Sequence, residues 1–292
     1  MSTVSTLKIA QRRLDQYLHQ GAVVRFDYGN IVLAHSRQPT PIESTVYRPL
    51  LCVVLQGEKE VSAGKHKVLC AQGHMILVTH QLPVVSKIVK ASGIDPYIAV
   101  ILPLDQEKLR RYYDPTKSTR TEDTNAAMAC HEADPAILNA LGRLLNLDDE
   151  PEIAKLVAPL VEEEIHARLL HSTMGAMLVR LMWQDDKSAQ IARIVKLISE
   201  DLSNSLSISE LAETVGMSKS ALHLHFKAVT GMSPLAYTKD LRLLKAQTSV
   251  RDSNRPISMI GYDVGYESPA QFSREYARKF DLTPRQDRLA AR

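Results

Sequence analysis

Short runs of apolar, mostly β-branched residues fill the first third of the chain, and glycines lie between them. The runs cover residues 23–26, 31–34, 50–55, 75–79 and 97–102. Many short strands with glycine-containing turns between them are typical of an antiparallel sandwich or barrel. We therefore predict a β-barrel over about residues 20–104, preceded by a helix over residues 3–20.

After Pro103 the apolar residues recur every three or four positions, which is the period of an amphipathic helix. The spacing predicts helices over residues 134–146 and from about residue 152, so that helices occupy about residues 105–183. An apolar stripe runs along this region, made of Val157, Val161, Leu169, Met174, Met177, Leu178 and Leu181. Burial against the chain's own barrel and contact with a second subunit are both open for this stripe.

A polar segment at residues 184–188 follows Trp183, the one tryptophan, and is the best candidate for a linker. Beyond it the pattern predicts helices over residues 189–202, 207–215, 218–230, 234–251, 257–264 and 268–280. A length of 292 residues is enough for two cores. The sequence therefore predicts an α+β protein of two domains, residues 1–183 and residues 184–292, the second of them all-α.

Two stretches of the second domain repeat each other. The matched pairs are Leu211 with Ile260, Ala212 with Gly261, Val215 with Val264 and Gly216 with Gly265. In a helix-turn-helix the first helix needs a small residue where the second crosses it, and the turn needs a residue that tolerates a positive φ. The repeat therefore predicts two helix-turn-helix units, at about residues 208–229 and 257–280.

The second helix of each unit has a serine at its start and an apolar face turned inward. Ser218 and Ser268 are placed to cap these helices. The pairs Leu222/Phe226 and Phe272/Tyr276 are expected to be buried, since residues four apart share a helix face. The residues left outward, which can reach DNA, are Lys219, Ser220, His223, Leu224 and Lys227 in the first unit and Pro269, Ala270, Gln271, Arg274 and Arg278 in the second. Ser268, at the start of the second helix, is also predicted to contact DNA.

The helix predicted between the two units, over residues 234–251, sets their separation. It is about 27 Å long at ~1.5 Å per residue. Successive major-groove faces repeat every ~34 Å, so that two units joined by such a helix can enter neighbouring groove segments.

Positive charge is concentrated in the same region. The net charge of the chain is +3, but residues 187–292 hold 16 Lys and Arg against 11 Asp and Glu, whereas the first 186 residues hold 20 against 22. A module that binds a polyanion needs this asymmetry.

Taken in order, these motifs resemble the AraC/XylS family of bacterial regulators. The resemblance covers about residues 189–289 and includes the connector from Gly231 to Pro234 and the terminal pair Phe280 and Pro284. It implies that the base-reading positions are Ser220, His223 and Leu224 in the first unit and Ala270, Gln271 and Arg274 in the second.

Three positions depart from that family's pattern. Arginine is frequent in the family where Leu224 stands, so base contacts in the first unit are expected to be weaker or differently aimed. Gly261 replaces the usual alanine, and Asp281 replaces the usual glycine at the end of a helix; neither is expected to disturb the fold.

The N-terminal half resembles, more loosely, the cupin-like effector domain of one branch of this family, through residues 54–57 and 82–84. This resemblance implies a barrel that receives a small-molecule effector of unknown identity, and helices that pair subunits into a homodimer. The family implies double-stranded promoter DNA and RNA polymerase as partners, with activation the commoner outcome. We therefore predict a sequence-specific transcription factor that acts in the bacterial cytoplasm, at the nucleoid.

Cysteines offer a second interpretation, a regulator that senses oxidants or electrophiles through a thiol. The chain has an odd number of cysteines at irregular spacings, Cys52, Cys70 and Cys130. We therefore expect all three thiols to be reduced. Cys52 lies in an apolar run and is expected in the core. Cys70 is the better candidate for a reactive thiol, because Lys67 lies near it in sequence and a nearby cation lowers the pKa of a thiol.

A cupin-type enzyme is the remaining alternative. His35, His66, His74 and His80 lie in the predicted barrel, but none forms the His-x-His pair that many cupins use for a metal. The one such pair, His223 and His225, lies on a predicted DNA-reading helix. Residues two positions apart on a helix point about 200° away from each other, so the two side chains cannot easily bind one metal ion. We predict no catalytic activity, no cofactor and no metal. No stretch approaches the ~20 apolar residues that a membrane span requires.

Overall fold

The structure is a computed structural model that describes residues 3–17, 22–114, 126–183, 186–204 and 207–291. Its strands are β1 (Val23–Arg25), β2 (Val32–Ser36), β3 (Glu43–Tyr47), β4 (Leu50–Gln56), β5 (Glu58–Ala63), β6 (His66–Ala71), β7 (His74–Val78), β8 (Leu82–Lys90), β9 (Tyr97–Pro103) and β10 (Met128–Glu132). Its helices are α1 (Thr3–Gln16), α2 (Gln106–Tyr112), α3 (Pro135–Asn146), α4 (Pro151–Leu170), α5 (Gly175–Met182), α6 (Lys187–Glu200), α7 (Ile208–Thr214), α8 (Lys219–Thr230), α9 (Pro234–Asp252), α10 (Ile257–Asp263), α11 (Pro269–Phe280) and α12 (Pro284–Ala290).

The strands form two antiparallel sheets. One has the order β1-β2-β9-β4-β7-β10 and the other the order β3-β8-β5-β6. The predicted barrel therefore takes the form of two sheets, and among the described residues the backbone pairings do not join them into one closed sheet. The α+β architecture with an all-α C-terminal part is confirmed.

Strand β4 shows why its sequence is a continuous apolar run. Leu51, Val53 and Leu55 pack on the helices that cover the six-stranded sheet. Cys52 and Val54 point the other way, toward the four-stranded sheet. Because both faces are buried, the polar positions of a half-exposed strand are missing.

All five predicted strand runs are strands, but the prediction missed β3, β5, β6 and β8. It was wrong after Pro103, where helices alone were expected: β10 pairs with β7 as the edge of the six-stranded sheet. Helix α12 was also missed, and α2 lies in the helical region predicted over about residues 105–183, where it had been given no bounds of its own. The predicted helix over residues 3–20 ends at Gln16, and its residues 18–20 lie outside the described residues, as do residues 184 and 185 of the predicted linker.

The described residues form three hydrophobic cores. The first lies between the six-stranded sheet and helices α1, α3, α4 and α5, and it buries Val161, Leu169 and Leu178 of the predicted apolar stripe. The second lies between the two sheets and continues into helices α6 to α9. The third is formed by the second half of α9 with α10 and α11. Of the two alternatives for the stripe, packing within the chain is therefore the one observed.

The prediction of three reduced thiols is wrong. Cys70 of β6 and Cys130 of β10 form a disulfide, with Cα atoms 6.4 Å apart, that links the two sheets. The two cysteines are 60 residues apart in sequence, and they meet because β10 pairs beside β7, close to β6. Cys52 is buried as predicted, and burial raises the pKa of its thiol.

Candidate nucleic-acid interface

The first helix-turn-helix consists of α7 and α8. Ser207 and Glu210 form a capping box at the start of α7, so the free backbone N–H groups there have acceptors. Gly216 in the turn has φ +65°, which is the left-handed conformation that the repeat predicted. Ser218 caps α8, whose inner face buries Leu222 and Phe226.

The second helix-turn-helix consists of α10 and α11 and repeats this construction. Gly265 has φ +88° in the turn, and Ser268 caps α11. A Cβ atom on Gly261 would lie 3.0 Å from the ring of Phe272, so α10 and α11 approach more closely than an alanine there would comfortably allow. Asp281 ends α11 in the left-handed conformation, with φ 57°.

The outward faces of α8 and α11 are the candidate interface. On α8 the exposed residues are Lys219, Ser220, His223, Leu224 and Lys227. On α11 they are Ala270, Gln271, Arg274 and Arg278, while Pro269 and the capping residue Ser268 are partly buried. The structure thus brings the predicted residues onto two exposed helix faces, and their contacts with bases stay a prediction.

The cations on these faces differ from their neighbours because they form no ion pair within the part of the chain that the structure describes. Among the ion pairs of the described residues, none includes Lys219, Lys227, Arg274 or Arg278. By contrast, Lys279 of α11 is paired with Asp240 of α9 at 2.7 Å. The outward cations are therefore available to phosphates, whereas Lys279 holds α11 against α9.

Contacts that the sequence did not reveal fix the position of α11. Glu275 receives hydrogen bonds from Lys239 Nζ at 3.0 Å, from Tyr266 Oη at 3.0 Å and from Gln271 Nε2 at 3.2 Å. The bond to Glu275 uses one N–H of the Gln271 amide, so its second N–H and its Oε1 are left for a base edge.

Arg242 of α9 joins the two units. Its Nε donates to the carbonyl oxygen of Leu202 at 2.8 Å, just before the first unit, and its Nη1 donates to that of Gly265 at 2.9 Å, in the turn of the second. No pattern in the sequence indicated this bridging role of Arg242. With 19 residues, α9 is about 28 Å long at ~1.5 Å per residue, close to the length predicted.

The C-terminal end of α8 is held against the four-stranded sheet. Lys65 N, in the turn between β5 and β6, donates to the carbonyl oxygen of Gly231 at 3.1 Å. His66 Nε2 lies 3.0 Å from the carbonyl oxygen of Ala228, at donor distance. The first helix-turn-helix is thus in direct contact with the sheets.

Two further hydrogen bonds extend this contact. Ala127 N donates to the carbonyl oxygen of Val229 at 2.8 Å. Tyr237 Oη of α9 donates to the carbonyl oxygen of Gln81 at 2.7 Å. Together with the second hydrophobic core, they couple the sheets to the first unit and to the beginning of α9.

The candidate metal pair is split between two environments. His223 is exposed and His225 is partly buried, as expected for the two positions on one helix. Within the described residues no group of three or more His, Cys, Asp or Glu side chains is placed to hold a metal ion. The described helices also include none that is both long and apolar enough to cross a membrane.

Comparison with protein families accounts for both halves of the chain. Residues 29–177 match the family described as the AraC-type transcriptional regulator N-terminus, and residues 211–290 match a helix-turn-helix domain. The chain belongs to the AraC family of transcriptional regulators. It is accordingly a DNA-binding transcription regulator, and both exposed helix faces lie within its helix-turn-helix domain.

Two known transcription regulators are similar to part of the chain. The regulatory protein SoxS of Salmonella typhimurium is 37% identical over 94 residues, which are 32% of this chain and 88% of SoxS. The HTH-type transcriptional activator RhaS of Yersinia pestis is 26% identical over 130 residues, 42% of this chain and 48% of RhaS.

Solved structures of ToxT from Vibrio cholerae share the fold of the whole chain. An apo ToxT variant has a TM-score of 0.57 at 11% identity, covering 92% of this chain and 100% of ToxT. ToxT bound to (E)-4-(8-methylnaphthalen-1-yl)but-3-enoic acid has a TM-score of 0.56 at 12% identity, covering 87% of this chain and 100% of the ToxT chain. The combination of both domains in one chain is therefore also found in ToxT.

Proposed function

We propose that this regulator reads promoter DNA with both helix-turn-helix units. Lys219, Lys227 and Arg278 would contact phosphates, and His223, Gln271 and Arg274 would contact base edges. Ser220, Leu224 and Ala270 complete the surface that lies against the groove. The proposal is supported above all by the two exposed faces of α8 and α11, whose cations lack partners within the described residues.

The two units are unequal in this proposal. Leu224 is 68% exposed on α8 at the position that Arg274 occupies on α11. A leucine contacts a thymine methyl group but donates no hydrogen bond, whereas an arginine donates two to a guanine. The second unit therefore carries the stronger base contact, and Arg274 is its most important residue.

The test replaces Arg274 by alanine. DNA selected from a random pool by the wild-type protein serves as the probe, and fluorescence anisotropy measures binding at several salt concentrations. We expect Arg274→Ala to cost about 1–3 kcal/mol of binding free energy on the selected site and to relax the preference at one base pair. Lys219→Ala should instead weaken binding to every sequence alike and lower the salt slope by about one.

An arginine outside the proposed interface provides the matched control. Arg37 follows β2 in the N-terminal domain and is exposed. Arg37→Ala should bind the selected DNA as the wild type does. Unchanged affinity and unchanged base preference in Arg274→Ala would reject the assigned role of Arg274.

The N-terminal part, residues 1–183, is proposed to receive a small-molecule effector and to pass its signal to the DNA-binding part, residues 184–292. ToxT, which shares this fold, has been solved with an organic acid bound. The contact between the β5–β6 turn and the end of α8 offers a direct route for the signal. An effector shifts the equilibrium only if it binds one arrangement of the two parts better than the other.

A homodimer is proposed as the form that binds promoters. Helix α4 carries an exposed apolar face formed by Ile153, Leu156 and Leu160, with exposed fractions of 42%, 73% and 65%. These residues lie opposite the part of α4 that packs in the first core, and a second copy of the same face is the occupant proposed. RNA polymerase is proposed as a further partner, and activation of transcription is the proposed outcome. The proposed place of action is the bacterial nucleoid in the cytoplasm. No catalytic step is proposed.

A further inference from the structure

A cleft of about 850 Å³ lies where the N-terminal domain meets α6, the first helix of the C-terminal domain. Its walls come from Pro49 just before β4, the segment after β7, helices α2 and α5, and one face of α6. A volume of this size falls in the range of about 300–1,000 Å³ that is typical of small-molecule sites. Neither the helix-turn-helix units nor the α4 face includes this cleft.

The charged residues of the cleft are all cationic. Arg110 reaches it from α2, and Arg193 and Lys196 reach it from α6. Positions 193 and 196 are three residues apart and therefore lie on the same face of the helix. Among the described residues that line the cleft there is no aspartate or glutamate. Lys196 Nζ lies 3.7 Å from Glu200, but this pair is exposed and weak in water.

Apolar side chains form another part of the wall. Leu181 and Met182 come from the end of α5, and Val195 comes from α6. His80 also lines the cleft, and its Nε2 lies 3.0 Å from the carbonyl oxygen of Ser188. Burial lowers the pKa of His80 to about 4, so its ring is neutral near pH 7 and adds no charge.

From these features we infer that the cleft binds an organic anion, with a carboxylate or phosphate head group held by Arg110, Arg193 and Lys196. The apolar body of the ligand lies against Leu181, Met182 and Val195. Guanidinium groups suit both head groups, because their N–H donors match two oxygens of a carboxylate or a phosphate. Three like charges around one cleft also raise the local concentration of anions.

Such a ligand would join the two domains. Arg110 belongs to the N-terminal domain and Arg193 to α6, so a single head group bound by both residues connects the two domains. Binding then favours the arrangement in which α2 and α6 are close together. This inference rests on the proposed function, since it assigns a site and a ligand class to the effector response.

The experiment titrates the full-length protein with four probes of equal chain length: octanoate, octyl phosphate, octanol and octylamine. Trp183, the one tryptophan of the chain, follows Met182 directly, so its fluorescence reports on the cleft. Calorimetry on the same samples gives the affinities. We expect octanoate or octyl phosphate to bind at least tenfold more tightly than octanol and octylamine, and the tighter of the two anions identifies the head group.

Variants test whether the cations are responsible. Arg110→Gln combined with Arg193→Gln should weaken anion binding tenfold or more, and Lys196→Gln alone should weaken it less. Arg37→Gln, which removes an exposed arginine elsewhere, should leave it unchanged. Thermal melting of each variant shows whether it is folded. If the double variant is not folded, the Lys196→Gln variant alone tests the role of the cations.

Three results would overturn the inference: binding of neither anion, octanol binding as tightly as the anions, or full anion affinity in both the double variant and Lys196→Gln. DNA binding by the same preparation is measured in parallel. A protein that binds its selected DNA but none of the anions refutes the cleft alone, whereas failure of DNA binding refutes the proposed function.

Discussion

Two glycines allow the sheet domain to touch the first recognition helix. Gly231 ends α8 with φ +81°, and a Cβ atom there would lie 2.2 Å from the carbonyl oxygen of Ala63. Gly64 faces it, and a Cβ atom on Gly64 would lie 2.4 Å from the carbonyl oxygen of Gly231. At both positions a side chain would have to push one backbone away from the other.

Replacing Gly231 by alanine should therefore destabilise the protein in two ways. The left-handed backbone costs about 1–2 kcal/mol for a residue with a Cβ, and displacement of the β5–β6 turn adds to this. Gly216→Ala is the matched control, because Gly216 has φ +65° but nothing within 4 Å of its Cβ position. Urea denaturation should show a larger loss for Gly231→Ala than for Gly216→Ala; equal losses would mean that the turn gives way at no cost.

At the scale of single residues, the sequence predicted backbone conformation better than it predicted contacts between distant residues. The internal repeat identified Gly216 and Gly265 as turn residues, because only local backbone geometry is needed for that inference. It did not show that Gly231 meets Gly64, or that Cys70 meets Cys130. Those pairs are far apart in sequence, and pairing across 60 or more residues depends on a topology that local patterns do not specify.

Among the elements, α12 connects to α9 and α11 through a buried carboxylate, a role that its amino-acid composition does not indicate. Asp287 is 2% exposed and receives hydrogen bonds from Tyr276 Oη at 2.6 Å, Arg251 Nε at 2.9 Å and Gln247 Nε2 at 3.0 Å. One carboxylate thus fastens α12 to α9 and α11. The position of the second recognition helix depends in part on this contact.

Replacing Asp287 by asparagine should lower the free energy of unfolding near pH 7 by about 1–3 kcal/mol, because hydrogen bonds to a charged group are lost. Burial alone would raise the pKa of Asp287, but the hydrogen bonds from Tyr276, Gln247 and Arg251 outweigh it, and the pKa is lowered. The carboxylate therefore stabilises the fold above the pKa of an unfolded aspartate, about 3.9, and this contribution is lost as the pH falls through the lower pKa of the folded state.

The measurement is chemical denaturation of both proteins between pH 7 and pH 2. The stability difference between wild type and Asp287→Asn should shrink as the pH falls below about 4. Asp252→Asn, at the exposed end of α9, is the control and should show little difference at any pH. If the stability difference between the wild type and Asp287→Asn stays constant down to pH 2, the proposed role of the Asp287 carboxylate is wrong.

The elements that the sequence predicted are those with a strong period or with both faces buried. Strand β4 and helices α8 and α11 belong to this group. Strand β5 was missed because Glu58, Lys59 and Glu60 follow one another on a partly exposed sheet, so that no apolar run marks it. Strand β10 was missed because a short strand after a change to helical spacing has no signal of its own.

At the scale of the whole molecule, the two helix-turn-helix units differ in what they pack against. The first shares its core with the two sheets. The second has a core of its own, formed with the C-terminal half of α9. A change in the N-terminal domain therefore reaches the first unit through direct packing, and it reaches the second through α9 and the hydrogen bonds of Arg242.

The sequence predicted the order of the parts but not this unequal coupling. An apolar period tells which face of a helix is buried, but the element that covers that face is not encoded locally. The apolar stripe of α4 illustrates the difference, since Val161 and Leu169 face the chain's own core while Leu156 and Leu160 are exposed on the same helix.

The exposed face of α4 leads to the prediction for the assembled molecule. If a second copy covers it, Leu156→Glu should place a charge in an apolar interface and weaken dimerisation at least tenfold, because burying one leucine contributes about 1.5–3 kcal/mol. The folded monomer should be as stable as the wild type, since Leu156 is 73% exposed within one chain. Sedimentation equilibrium gives the dissociation constant.

Ile94→Glu is the matched control, because Ile94 is 92% exposed and lies in a loop away from α4. It should leave the association constant unchanged. Loss of dimerisation in Leu156→Glu should also weaken binding to a DNA site with two half-sites more than binding to one half-site, because two linked binding events become independent ones. A wild-type protein that sediments as a monomer, or a dimer that Leu156→Glu leaves intact, would show that α4 is not the subunit interface.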